Sequence, residues 1–103
     1  MTLQDIYNIL SSVAPAHYHH APIGTKLPFI TYTSSHDNNF SADDKVYQLV
    51  TSITVVLYLG VNDLPVEDSL NRALDDADLY WVSSTDYDDD QKLFTITYEM
   101  EVI

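Results

Sequence analysis

The sequence predicts an α+β domain: a mostly antiparallel β-sheet with two α-helices on one face, in the order α-β-β(-β)-α-β-β. Three observations predict it. Two windows, 2–13 and 61–79, carry apolar residues at helical spacing. Four stretches, 29–35, 46–60, 80–85 and 93–103, are rich in β-branched and aromatic residues or alternate between apolar and polar. The strand-like stretches come in consecutive pairs with turn-like links, the pattern of hairpins.

The first window, TLQDIYNILSSV, places Leu3, Ile6, Tyr7, Ile9, Leu10 and Val13 on one helical face. Thr2 is an N-cap candidate with Asp5 in the capping-box position, and Pro15 stops the helix. Residues 15–28 hold three of the four prolines and one of the two glycines, which predicts a loop. FITYTSS (29–35) reads as a strand, and 36–45 as a polar turn with Phe40 alone in it.

VYQLVTSITVVLYLG (46–60) is the most strand-like stretch, polar on one side at first and apolar on both sides later. A bend or bulge at Thr51–Ser52 would split it in two. The second helix has Asp63 as N-cap, Pro65 in its first turn, and Val66, Leu70, Ala73, Leu74 and Ala77 as its buried stripe. In the last strand Phe94, Ile96, Tyr98, Met100 and Val102 form one face, and Thr95, Thr97, Glu99 and Glu101 the other.

The chain has 103 residues, enough for a single domain (1–103) with one modest core. It has no cysteine, so it forms no disulfide, thiolate zinc site or thiol nucleophile. Sixteen acids against four bases give a net charge of −12. That balance excludes nucleic-acid binding through a basic face, which needs Lys and Arg against phosphate. No segment is apolar enough to cross a membrane, and MTLQDIYNIL lacks the basic start and cleavage site of a signal peptide. The expectation is a soluble protein made in a cytoplasm.

Chemistry-bearing clusters are sparse. Asp86, Asp88 and Asp90 match positions 1, 3 and 5 of a calcium loop, but Gln91 stands where glycine is needed and Thr97 where the bidentate Glu is needed. A solvated hairpin turn over Asp86–Asp90 is the expected structure. His17, His19 and His20 lie in the loop without helical spacing, although in an extended segment His17 and His19 would share a face. His36 lies in a separate polar loop. The serines form no nucleophile elbow, and two glycines cannot build a phosphate cradle. The expectation is no enzyme, no metal and no cofactor.

Three stretches carry a resemblance. LPFITYTSSHDNNFSADDKVY resembles a segment of small tail-completion proteins of tailed phages and prophages: a Pro-Phe-(Ile/Val)-x-Tyr strand, a Phe-x-Ala-Asp turn and a Val-Tyr strand. ITVVLYLGVNDLPVEDSLNRAL is similar to the strand, short loop and helix that follow there, and LYWVSSTDYDDDQKLFTITYEMEV to the closing hairpin with its acidic turn. The likeness covers nearly the whole chain except residues 15–27. It implies a tail terminator. Such a protein is a virion component at the top of the tail, assembled in the host cytoplasm. It works as a ring, typically a hexamer, that caps the tail tube protein and offers a surface to the head connector. DNA would pass through without specific binding, and no membrane is involved. The contact residues expected on this basis are Phe40, Asp43, Tyr47, Tyr87 and Asp88.

Two other readings stand beside it. One is a head-completion or stopper protein of the same connector. The other is an acidic DNA mimic of the anti-restriction type, whose carboxylates imitate phosphates. Against the mimic, twelve of the sixteen acids lie from Asp63 onward, mostly at helix and turn positions.

Overall fold

The computed structural model describes residues 3–22, 24–37, 50–60 and 63–102. The elements are α1 (Leu3–Ser11), β1 (Ala16–Tyr18), β2 (Phe29–Asp37), β3 (Val50–Gly60), α2 (Leu64–Asp76), β4 (Trp81–Asp88) and β5 (Leu93–Val102). The strands form one five-stranded sheet in the order β1-β2-β3-β5-β4. Its pairings are antiparallel except β1 with β2, which is parallel. The α+β class, the element order and the mostly antiparallel sheet all agree with the sequence pattern.

Directly opposed residues of paired strands share a face of the sheet. The register places Ile30 and Tyr32 beside Leu57 and Val55, and these beside Ile96 and Tyr98. Ile53, Leu59 and Met100 complete this buried face. Both helices lie on it. α1 contributes Ile6 and Leu10, α2 contributes Leu70 and Leu74, and all join one core cluster. Burying each such side chain is worth about 1.5–3 kcal/mol relative to exposure, so the two helical stripes are what hold the helices down.

The structure departs from the sequence pattern at several points. β2 continues through His36 and Asp37, which the pattern placed in a polar loop. The segment 15–28 is not all loop: Ala16–Tyr18 adds a short parallel strand at one sheet edge, in register with Ile30–Tyr32. The bend expected at Thr51–Ser52 does not occur. β3 pairs without interruption with β2 from Val50 to Tyr58, and with β5 from Thr51 to Gly60. Thr51 is itself a good strand former, and ladder hydrogen bonds on both sides hold the weaker Ser52 in line. The helix expected to run to residue 13 ends at Ser11, where the Ser11 and Ser12 hydroxyls donate to the carbonyls of Asn8 and Ile9. The Ser12 bond satisfies the Ile9 carbonyl, which is left over at the helix end, while the Asn8 carbonyl also accepts from the Ser12 N–H.

Asp63 occupies the N-cap position of α2, but its side chain makes no cap hydrogen bond. Its Oδ2 accepts from the Gly60 backbone N–H at 3.0 Å. A Cβ at position 60 would lie 3.1 Å from that oxygen, so glycine permits the close approach. The Thr2 cap and the strand reading of residues 46–49 lie outside the described residues.

Candidate functional site

The helices cover only one face of the sheet. Among the described residues no helix covers the other face, which carries Phe29, the buried Thr31 and Thr33 of β2, then Ser52, Thr54, Val56 and Tyr58 of β3. Thr95, Thr97, Glu99 and Glu101 of β5 and Val82, Ser84, Asp86 and Asp88 of β4 complete it. At one end Phe29 stacks on Tyr58 with ring centroids 4.5 Å apart. A shallow groove of about 530 Å³ lies there between the 19–27 loop and Phe29, Tyr58 and Leu93. At the other end a groove of about 770 Å³ is lined by Ser52, Thr54, Tyr80, Val82, Glu99 and Glu101.

The acidic hairpin is only partly a turn. β4 runs through Asp86 and Asp88, and the turn comprises residues 89–92. This corrects the expected turn over Asp86–Asp90. Aspartate is a poor strand former, but on an exposed edge its carboxylate stays in water. Asp88 Oδ1 accepts from the backbone N–H groups of Asp90 (2.9 Å) and Gln91 (3.2 Å). This Asx-type arrangement satisfies turn donors locally and occupies an oxygen that a calcium loop would need. Among the described residues, no group of three or more His, Cys, Asp or Glu side chains is arranged to hold a metal ion.

Of the expected contact residues, Tyr87 and Asp88 lie on opposite faces of β4. Asp88 lies on the open face opposite Leu93. Tyr87 lies on the helix side, packed on Phe94 at 4.7 Å, and stays 45% exposed because neither helix reaches it. Phe40, Asp43 and Tyr47 lie outside the described residues.

The histidines and tyrosines gather at the opposite edge. His17 is half-buried on β1. His19 has φ 71, which turns the chain out of the strand and places its ring against Tyr18 at 4.4 Å. The extended geometry that would have aligned His17 with His19 is therefore absent. Tyr18 also packs on Tyr32 (5.2 Å) and its hydroxyl lies 3.1 Å from Ser34 Oγ, while Tyr7 approaches Tyr32 from α1. Burial raises the Tyr32 pKa above the ordinary tyrosine value, and the neighbouring Tyr7 and Tyr18 add to the shift.

The two edges of the sheet differ electrically. From Ile6 to His36 the sequence has no acid, and it carries all four histidines and Lys26. β1 lies within that stretch. β4 and its turn carry Asp86, Asp88, Asp89 and Asp90, with Glu99 and Glu101 close by on β5. Tyr80 (83% exposed) and Val82 (57%) add apolar surface to the same edge. Alternation in the last strand already placed Glu99 and Glu101 outward. No local pattern marked Tyr80 and Val82, because their exposure follows from the edge position of β4.

No family model matches this chain, and no curated protein matches it either.

Proposed function

We propose that this protein is a structural component that works through its surface, specifically a tail-completion protein of a tailed phage. In this reading it caps the tail tube as a ring of copies and presents a joining surface to the head. The observation that carries the structural part is the broad open face of a five-stranded sheet, edged by exposed β4. Such a face suits lateral contact between proteins better than it suits turnover of a small substrate, which favours a concave pocket with convergent polar groups. The tail-specific part is supported by the resemblance of residues 27–47, 53–74 and 79–102. The acidic hairpin fits a ring through which DNA passes, because carboxylates offer phosphates no cation.

Electron microscopy of particles made without this gene tests the proposal. Tails of uncontrolled length support it. Tails of normal length with leaking heads point instead to a stopper, and intact normal particles refute both.

A further inference from the structure

We propose that the outer edge of β4 is a β-addition site for an extended segment of another protein that carries Lys or Arg at alternate positions. β4 is an edge strand of eight residues, Trp81–Asp88, and its register with β5 is unbroken along the whole length. Alternate residues of an edge strand turn both N–H and C=O outward, so half of β4 offers donors and acceptors to a new strand. No described residue pairs with that side. Proteins commonly blunt such an edge with charged side chains, proline, a bulge or a covering element. WVSSTDYD has no proline and is paired without a bulge, and its only charges, Asp86 and Asp88, oppose a second acidic strand but not a basic one. From Val82 to Asp88 every residue is exposed.

Charge selects the occupant. A strand added beside β4 would place one set of alternate side chains on the open face, next to Val82, Ser84, Asp86 and Asp88. Asp86, Glu99 and Glu101 form no ion pair among the described residues. The groove at the start of β4 holds Glu99 and Glu101 beside Val82, a seat for a long basic side chain with an apolar stem. The intervening side chains would fall on the helix side, next to Ser83, Thr85 and the exposed Tyr87, where β-branched apolar residues pack best.

A second copy of this chain fits less well. Pairing β4 with β4 about a two-fold axis would join two acidic faces into one, on chains that each carry −12. Pairing β4 with the β1 edge would offer only three residues, and the Tyr18 carbonyl among them already accepts from His20 N–H. The inference rests on the sheet edge and its charge, and it holds or fails independently of the tail-completion reading.

The test uses the whole chain and synthetic peptides of the same length as β4. One alternates Lys with Val, one has the same composition with its lysines in a block, and one alternates Glu with Val. Two further versions of the first are N-methylated on one or the other alternate set of amides. Hydrogen exchange resolved by residue reports the site, and titration reports affinity. The alternating Lys peptide is expected to slow exchange within Trp81–Asp88 and to bind about tenfold more tightly than the block peptide. One N-methylated version should lose that advantage and the other keep it. The exposed double variant Asp86→Lys with Glu99→Lys should transfer the preference to the Glu peptide. Equal binding of alternating and block peptides would reduce the effect to counter-ion attraction and overturn the proposal. So would protection elsewhere on the chain, no binding at low salt, or a β4 already protected by self-association in sedimentation.

Discussion

Replacing Tyr98 by Phe removes one hydroxyl from the centre of the core and leaves the ring. Tyr98 is fully buried, its ring meets Trp81 edge-on at 5.2 Å, and its hydroxyl donates to Asn71 Oδ1 at 2.7 Å. Phe retains the packing, so the loss is one hydrogen bond between β5 and α2. A neutral bond of this kind is worth about 0.5–1.5 kcal/mol net, and stranding a buried partner adds to that. Asn71 is half-buried, so water can replace the lost donor, and the expected cost of Tyr98→Phe is about 1–1.5 kcal/mol. In a domain of this size that lowers Tm by roughly 4–10 °C. Asn71→Ala alone strands the hydroxyl in the core and should cost about 2 kcal/mol. The double variant should recover about 1 kcal/mol of the summed losses as coupling. There is also a pH signature. Burial, reinforced by the Glu67 and Asp68 carboxylates, raises the Tyr98 pKa far above its ordinary value. The folded state keeps this proton where the unfolded chain releases it. The stability linked to it is therefore complete below about pH 10 and is lost as pH rises beyond. The Phe variant lacks this loss, so the advantage of the wild type shrinks above about pH 10. Urea unfolding followed by Trp81, the only tryptophan, measures both effects. Equal midpoints at neutral pH, or an advantage that widens in alkali, would refute the reasoning.

Ile96→Asp puts an unpaired charge at a site 1% exposed and should unfold the domain at a cost of several kcal/mol. Asp88→Asn keeps an oxygen able to accept the two turn N–H bonds and should change Tm little; melting curves compare the two, and the reverse order would mean the strand faces are misassigned. Copies carrying −12 each repel through solvent, while apolar contact is not screened. Self-association should therefore strengthen as salt rises past the point where the screening length falls to about 8 Å; sedimentation showing the tightest assembly in the lowest salt would overturn this. Calorimetric titration with calcium and zinc should show no sub-micromolar binding to the folded protein, since Asp88 Oδ1 is already committed to backbone donors.

The parts of the fold that were legible are those written in local periodicity. Ile6 and Leu10, Leu70 and Leu74, and the alternation of Ile96, Tyr98 and Met100 each recur at the spacing of their element, and each is buried. What was not legible depends on partners distant in sequence. Ala16–Tyr18 is too short to show a period, and it becomes a strand only because β2 lies beside it. The continuity of β3 through Thr51–Ser52 comes from strands on both sides. Asp86 and Asp88 look like turn residues by composition, and their place in a strand follows from pairing with Thr95 and Leu93. For the candidate surface, the sequence supplied the charges and the outward alternation of Glu99 and Glu101. It could not say that β4 ends the sheet, because strand order is set by which edges meet in space.

β5 lies inside the sheet although it follows every other strand in the chain. During synthesis, β3 is therefore made well before its second neighbour exists. In that interval it presents a free edge, and Ile53, Val55, Leu57 and Leu59 lack one side of their final packing. The β4–β5 hairpin has local contacts and can form within microseconds of emerging, then dock on β3 as a unit. A chain interrupted between Asp88 and Leu93 would keep its apolar central strand and lose the partner of both β3 and β4. Such a fragment is adhesive rather than merely smaller, so this protein depends on the late delivery of one strand to stay out of aggregates.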